Sequence, residues 1–346
     1  MPEGGKVALR SNDGEGKDTN NQKGVPMKII VDMMGGDNAP LAVLEGTAAA
    51  VKEYGVEVIG VGDEALVRKT AAEHSIITTY RKPIWRNFIS AIKTYQLISA
   101  GDRIAVCMSG GKDSLLLAAC LRALQRHSEV PFELCYQTMD PGYTLENRAK
   151  VEENARRLGF PIEIFESDIF SIVNDVPASP CHVCAAMRRG YLYKEAQKRG
   201  CNKIALGHHY DDAVATALMS LFYGGQFKTM MPKVKSDNWA GMELIRPLFL
   251  VREEHIIAWQ QEQGLECLRC ACRVTSSEDG GKRKYIRDLI ERLSLDNPKL
   301  KNNIFAALSA VDLDTVLGYR AVGADTVTPF TQDYAAPQRQ ELEVNA

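Results

Sequence analysis

Residues 104–119 constrain this chain more than any other stretch. Ile104-Ala-Val-Cys-Met is an apolar run, Ser109-Gly110-Gly111-Lys112-Asp113-Ser114 interrupts it, and Leu115-Leu-Leu-Ala-Ala begins a run of helix formers. That order reads as strand, tight loop, helix. Adjacent glycines let the backbone adopt dihedrals that side chains disfavour and let it come close to a ligand. The helix that follows turns its unpaired N–H groups, and the positive end of its dipole, toward the loop. An anion belongs there, most simply a phosphate. Ser109 and Ser114 add hydroxyl donors, and Lys112 adds charge. The spacing is not that of the Gly-x-x-x-x-Gly-Lys-Ser/Thr phosphate loop: here the glycines are adjacent and an Asp follows the Lys. The blander reading is a surface Gly-Gly turn opening an ordinary helix, but six consecutive residues and both flanks fit the phosphate loop.

A Ser-Gly-Gly-Lys-Asp-Ser loop after a buried strand resembles the PP-loop of the ATP pyrophosphatases. That resemblance implies an α/β fold with a parallel sheet, of the adenine nucleotide alpha hydrolase-like kind. It also implies cleavage of ATP between its α and β phosphates, with adenylation of a substrate oxygen.

The chain has 346 residues, room for one large domain or two. With 45% hydrophobic and 25% charged residues it has an ordinary soluble composition. Its net charge of −2 excludes a molecule that binds nucleic acid by overall charge, so any RNA contact needs a local basic face. No apolar run approaches the ~18 residues of a membrane span, and residues 1–26 are polar, without the apolar core of a secretory signal. The chain therefore reads as cytoplasmic, and its nine cysteines read as thiols or metal ligands rather than disulfides.

Taken in order, residues 1–26 read as a disordered leader. Residues 27–74 then give strand, helix (41–54), strand (56–61) and helix (63–74), a partial βαβα segment. Its Val31-Asp32-Met-Met-Gly35-Gly36-Asp37-Asn38-Ala-Pro40 resembles the N-terminus of the phosphate acyltransferase of phospholipid synthesis. The resemblance stops near His74, and two strands with two helices bury little core alone. A truncated remnant, without acyltransferase activity, is expected.

Residues 80–310 read as the PP-loop domain. An amphipathic helix over 81–98 carries Trp85, Phe88, Ile89, Ile92 and Tyr95 on one side. The PP-loop strand and its helix to about 127 follow, then a strand over 132–138 and a loop at Asp140-Pro-Gly142. Next come a helix (145–158), a strand (162–165), a short helix (169–173) and a turn at 178–180. Further helices span 181–199, 213–223 and 253–263, with a strand over 203–206, loop-rich sequence over 226–248, and C-terminal helices over 284–293 and 301–311. Residues 320–346 read as a disordered tail. Alternating strands and helices predict a parallel sheet whose ligands sit at the strands' carboxyl ends. The PP-loop, Asp140 and the Gly207–Asp212 loop all fall at such ends.

Cys181-x-x-Cys184 can point two thiolates at one metal or cluster, and Cys267-x-x-Cys270 repeats the spacing far down the chain. A four-cysteine zinc site and a redox disulfide at Cys181/Cys184 stay open as alternatives.

Together with the PP-loop, several segments resemble the tRNA 2-thiocytidine synthetase family. They are Cys181-x-x-Cys184 followed by Met187-Arg188-Arg189-Gly190; Lys203-Ile-Ala-Leu-Gly-His-His-Tyr-Asp-Asp212; Phe222-Tyr-Gly-Gly225; Met231-Pro-Lys233; Ile245-Arg-Pro-Leu248; and Cys267-x-x-Cys270. The resemblance covers roughly residues 80–310. The related tRNA-lysidine ligases share the loop but lack the cysteine pairs. The family implies ATP-dependent 2-thiolation of an anticodon-loop cytidine, with tRNA, a sulfur donor (a cysteine desulfurase or free sulfide) and a homodimer. It also implies a [4Fe–4S] cluster on three cysteines, Cys181, Cys184 and, by motif position, Cys270. Cys267 is close behind, and Cys272 complicates the choice.

The expected roles follow. Ser109, Gly110, Gly111 and Ser114 cradle phosphates, and Lys112 neutralises the leaving pyrophosphate. Asp113, with Asp211 or Asp212, holds Mg²⁺, although helix capping is an alternative for either of the latter. Arg188 stabilises the adenylated intermediate. His208 and His209 read as packing groups, His182 as a remote ligand candidate, and Asp140 as a weak site candidate or turn former. Basic clusters at Arg188/Arg189/Lys194/Lys198/Arg199, at Lys228/Lys233/Lys235 and at Lys282/Arg283/Lys284/Arg287 are candidate RNA faces, or simply solvated surface. A zinc-stabilised adenylating enzyme and a non-catalytic nucleotide- or RNA-binding fusion are the competing functions.

Overall fold

The computed structural model describes residues 5–9, 27–167, 169, 180–268 and 281–334, with only the backbone at 5–9, 180–182, 185 and 333–334. The chain divides into two units, one of Met1–Ala213 with Met230–Tyr285, the other of Val214–Thr229 with Ile286–Ala346.

The larger unit is built on a six-stranded sheet. In chain order its elements include β1 (Gly5–Leu9), β2 (Lys28–Asp32), α1 (Leu41–Tyr54), β3 (Glu57–Gly62) and α2 (Glu64–Ile77). A π-helical turn at Arg81–Trp85 leads into α3 (Arg86–Thr94), β4 (Arg103–Cys107), α4 (Lys112–His127), β5 (Glu133–Asp140), α5 (Leu145–Arg157) and β6 (Glu163–Glu166). Then come α6 (Pro180–Lys198), β7 (Lys203–Ala205), α7 (Tyr210–Gly224), β8 (Lys233–Lys235), β9 (Glu243–Ile245), α8 (Glu253–Glu262) and α9 (Gly281–Asp296), of which α7 after Ala213 and α9 after Tyr285 belong to the smaller unit. The sheet order is β6-β5-β4-β7-β9-β8. All neighbours are parallel except β8, which pairs antiparallel with β9 at the edge. The chain therefore winds outward from β4 to β6, then returns to β4's other side with β7. That reversal is the switch point where a doubly wound sheet opens its crevice.

Composition explains the centre. β4 and β7 are covered on both faces, so Ile104–Cys107 and Ile204–Ala205 are apolar without alternation. Helix α4 is buried over residues 114–123, which is why its sequence shows no polar stripe. One core joins α4 with Ile84, Phe88 and Ala91 of the segment before β4, and with Trp259 of α8. The expected single helix over 81–98 is instead a π-turn running into α3. Pro83 has no N–H to give the helical ladder, and Ile84 and Trp85 both donate to the Tyr80 carbonyl, at 2.9 and 3.1 Å.

The strands and helices expected over 27–74 form, with β3 central in the order β1-β3-β2. Two differences stand out. Gly5–Leu9, inside the expected disordered leader, is a strand paired antiparallel with β3; its backbone satisfies an edge that β3 would otherwise leave open. Nor does the structure break at residues 74–80. Ala72 and Ile76 of α2 are fully buried in the main core, and Glu73 pairs with Arg122 and Arg126 of α4. Arg122 also donates to the carbonyls of Gly159 (2.9 Å) and Leu158 (2.8 Å) and lies 4.0 Å over the Phe160 ring.

In the smaller unit, α10 (Leu300–Ala307) follows α9, with Lys301 and Glu291 ion-paired at 2.6 Å. The expected disordered tail (320–346) contains β11 (Thr328–Pro329), paired antiparallel with β10 (Gly318–Tyr319) just before it, and α11 (Phe330–Tyr334). Leader residues other than 5–9, the helix expected over 169–173 apart from Ile169, and residues 335–346 lie outside the described residues. Among the described residues no helix is long and apolar enough to cross a membrane.

Candidate active site

The loop after β4 has the form its sequence dictates. Gly110 sits at φ +74°. A Cβ there would meet Val151 Cγ2 at 2.6 Å and Leu268 Cδ1 at 3.2 Å, so both the dihedral and the space require glycine. Gly111 precedes α4 in extended conformation at φ −83°, ψ 157°. The Ser114 hydroxyl donates to the Gly111 carbonyl at 2.8 Å and accepts from the Ser109 N–H at 3.2 Å. Loop and helix N-terminus are thereby tied together, with α4's first N–H groups turned to the loop.

A second loop closes on the first. Gly207, after β7, lies so near α4 that a Cβ would stand 2.9–3.0 Å from the Asp113 carbonyl group and 3.0 Å from the Ser114 nitrogen. Next in sequence, His208 and buried His209 lead into α7, which starts earlier than its sequence suggests. Asp211 and Asp212 thus occupy its first turn. His209 is a hub of carboxylates. Its Nε2 lies 3.4 Å from Asp212, 3.7 Å from Asp113 and 3.9 Å from Glu253, and its Nδ1 lies 3.9 Å from Asp211. Lys112 reaches the same group, 3.0 Å from Asp113 and 2.9 Å from Glu253. Burial by itself lowers the Lys112 pKa, but Asp113 and Glu253 outweigh it and hold the ammonium above its ordinary range. Burial pushes His208 down to about 4, with the Asp212 charge opposing, so this imidazole is neutral at pH 7.

Asp211 accepts the Glu253 N–H at 2.8 Å, closing the N-terminus of α8. It caps a helix, though a different one from its own. Arg283 lies 3.6 Å from Asp212. Asp140 is the turn former of the two readings: its carboxylate accepts the N–H groups of Gly142 (2.9 Å) and Tyr143 (2.7 Å) and pairs with Arg148 at 3.2 Å.

The cysteine segments approach from two sides. Leu268 donates its N–H to the Gly110 carbonyl at 3.0 Å, which brings Cys267 against the loop. Burial pushes the Cys267 thiol up to about 11, with Asp113 adding and Lys112 opposing. Cys184, half-buried on α6, packs in a cluster with Met139 at the carboxyl end of β5, together with Phe165 and Met187. Arg188 is half-buried one turn further along α6. The Cys181 and His182 side chains, Cys270 and Cys272 lie outside the described residues. Among the described residues no three His, Cys, Asp or Glu side chains stand close enough to hold a metal ion.

Sequence reasoning missed Glu253, which completes the Lys112 and His209 contacts. A partial signal was present, since it opens the helix after the Ile245–Leu248 segment, at the end of another parallel strand.

Fold and loop together define an adenine-nucleotide-type PP-loop domain, and the PP-loop domain family matches residues 84–291. Curated relatives named tRNA-cytidine(32) 2-sulfurtransferase match as well. That of Citrifermentans bemidjiense is 39% identical over 224 residues, 64% of this chain and 87% of the relative. That of Legionella pneumophila is 38% identical over 224 residues, 64% and 78% of the two chains. Among solved structures, the U34-tRNA thiolase NcsA from Methanococcus maripaludis with its [4Fe-4S] cluster superposes at a TM-score of 0.52 and 19% identity, over 67% of this chain and 80% of that one; the likeness is one of fold. This chain belongs to the tRNA-cytidine 2-sulfurtransferase family of PP-loop proteins.

Proposed function

We propose that this chain is an ATP-dependent enzyme that converts a tRNA cytidine, at position 32 as in its relatives' names, to 2-thiocytidine. The observation that carries the reading is the hydrogen bond from Leu268 N–H to Gly110 carbonyl, 3.0 Å long, which fastens a cysteine-bearing segment to a phosphate-binding loop. ATP cleavage and sulfur delivery are thereby held within one crevice.

In the first step the C2 oxygen attacks the α-phosphorus, and the bond to the β-phosphate oxygen breaks as pyrophosphate leaves. Ser109, Gly110, Gly111 and Ser114 hold the phosphates on the N–H groups of α4, and Lys112 offsets the charge growing on pyrophosphate. In the second step a hydrosulfide-level sulfur forms the bond to C2, the C2–oxygen bond breaks, AMP leaves, and the sulfur gives up its proton to leave the thiocarbonyl. Arg188 faces the charge on the adenylated intermediate. Mg²⁺ takes one or two carboxylates plus phosphate oxygens rather than a protein cage, and Asp113 with Asp212, both near His209 Nε2, fits that demand. Asp211 positions α8 and with it Glu253.

Thiolates suit an iron–sulfur cluster, and Cys181, Cys184 and Cys270 would hold one. Cys184 at the carboxyl end of β5 and Cys267 beside Lys112 and Asp113 bring both cysteine segments to the crevice's side of the sheet. When bound, the cluster supplies the sulfur-carrying chemistry. Free sulfide, or persulfide sulfur from a cysteine desulfurase together with a two-electron thiol reductant, replenishes the sulfur, and the cytoplasm, where thiols stay reduced, is the fitting compartment.

The test is nucleoside mass spectrometry of tRNA from cells with and without the gene. 2-Thiocytidine should vanish on deletion, return with the intact chain, and stay absent with Cys181→Ala, whose purified protein still binds ATP. Persistence of 2-thiocytidine in the deletion strain, or normal thiolation by Cys181→Ala, would defeat the reading.

A further inference from the structure

We propose that the outer face of the Arg81–Thr94 segment is a docking surface for the phosphodiester backbone of RNA. That the RNA is tRNA rests on the function proposed above; the surface itself rests on charge and shape. Between Glu73 and Asp102 the chain has no Asp or Glu, yet Arg81, Lys82, Arg86 and Lys93 all fall there. In a protein of net charge −2 such a stretch runs against the composition. All four cations are exposed, and among the described residues none of them is ion-paired with a carboxylate within 4.0 Å.

Helical geometry gathers them. Ile84, Phe88 and Ala91 turn into the core, fully buried, so residues offset from them turn outward. Arg81, Arg86 and Lys93 line a groove of about 540 Å³ together with Ser90, Thr94 and the half-buried Trp85. Every polar side chain among its lining residues is a cation or can donate a hydrogen bond to phosphate, and no carboxylate contributes. Trp85 is braced on Phe88, ring centroids 5.6 Å apart, and its remaining surface offers a platform for a base or ribose.

Each basic cluster expected from sequence is in part already committed. Lys198 pairs with Glu195 at 3.0 Å, Arg199 with Glu163 at 2.8 Å, Lys233 with Glu243 at 3.3 Å and Arg283 lies 3.6 Å from Asp212. Cations already neutralised within the protein release fewer counterions from RNA. Those of the Arg81–Thr94 face have their charge available.

The test uses the full chain and an unmodified tRNA transcript, with affinity read by fluorescence anisotropy from 50 to 200 mM salt. The triple variant Arg81→Gln/Arg86→Gln/Lys93→Gln should bind about 10- to 100-fold more weakly at low salt. Its slope of log K against log salt should be shallower by about 2–3, at roughly 0.7–0.9 for each phosphate no longer neutralised. The charge-keeping Arg81→Lys/Arg86→Lys should hold most of the affinity and the wild-type slope. ATP binding, unchanged in both, reports intact folding; should the triple variant lose it, Arg86→Gln and Lys93→Gln singly should each lower the slope by about 1. A charge-neutralised variant with wild-type affinity and slope overturns the surface. Thiolation by the wild-type chain is read separately. If it thiolates tRNA while the variants bind normally, the surface falls and the catalytic reading stands; if it never thiolates but RNA affinity drops as stated, the reverse holds.

Discussion

The two loop glycines should respond oppositely to the same substitution. Gly110 is at φ +74°, and an added Cβ would press on Val151 Cγ2 at 2.6 Å and Leu268 Cδ1 at 3.2 Å. Gly111 is at φ −83°, and its Cβ would meet nothing nearer than Ser109 Oγ at 3.5 Å. For Gly110→Ala the left-handed backbone costs about 1–2 kcal/mol, and forcing a methyl against buried Val151 adds about 1–3 kcal/mol. The sum, about 2–5 kcal/mol, is a large part of a typical domain's stability. Gly111→Ala meets neither penalty and, by restricting the unfolded chain, is neutral or stabilising by up to about 1 kcal/mol. Urea unfolding of both variants measures the contrast. Val151→Ala makes room for the Gly110→Ala methyl, so the double variant should recover about 1–3 kcal/mol relative to additivity, while the backbone share persists. Equal destabilisation by the two glycine substitutions, or strict additivity with Val151→Ala, would refute the geometry.

Other outcomes follow from buried charge. Glu73→Gln strips the carboxylate from buried Arg122, both side chains being under a tenth exposed, and should cost about 3–5 kcal/mol in urea unfolding. His208, held near pKa 4 by burial, binds its proton more readily unfolded than folded. Stability should therefore be complete above about pH 6.5 and fall as pH drops toward 4, by about 3 kcal/mol; His208→Gln should flatten that part of the pH–stability curve. Deleting residues 1–62 leaves α2 with its Asp63 cap, which accepts the Leu66 N–H at 3.0 Å, and should keep folding and ATP binding. Deleting residues 1–77 also removes Glu73, Ala72 and Ile76 from the core and should abolish soluble expression.

Much of this was legible in the sequence because the informative letters are local. A Gly-Gly turn between an apolar run and a helix run admits few readings, and periodicity located α1, α2, α4 and α5 to within a few residues. What stayed hidden depends on contacts distant in sequence. Glu253 is 141 positions from Lys112, and its own neighbourhood marks a strand's end without pointing to that partner. Asp211 has the letters of a cap for its own helix, but the N–H it accepts belongs to Glu253, on another element. The change of character near residue 80 suggested a boundary, since the acyltransferase-like resemblance ends there. Whether α2 is a lost fragment or a core helix turns on Glu73 meeting Arg122, a pairing that composition cannot announce. β8 and β9 are three residues each, too short for alternation to show.

Gly110 links two chemistries that must meet. Its carbonyl accepts the Leu268 N–H at 3.0 Å, and the space its missing Cβ leaves is bounded by Leu268 and Val151. Cys267 and Leu268 are therefore fixed to the phosphate loop by backbone, not by a flexible side chain. Sulfur transfer to an adenylated base requires the nucleophile at near-contact distance, and holding reactants so removes most of the entropic barrier to their meeting. A disturbance at Gly110 should accordingly lower thiolation more than it lowers ATP cleavage, because it shifts Leu268 and all that follows it while α4's N–H groups remain in place.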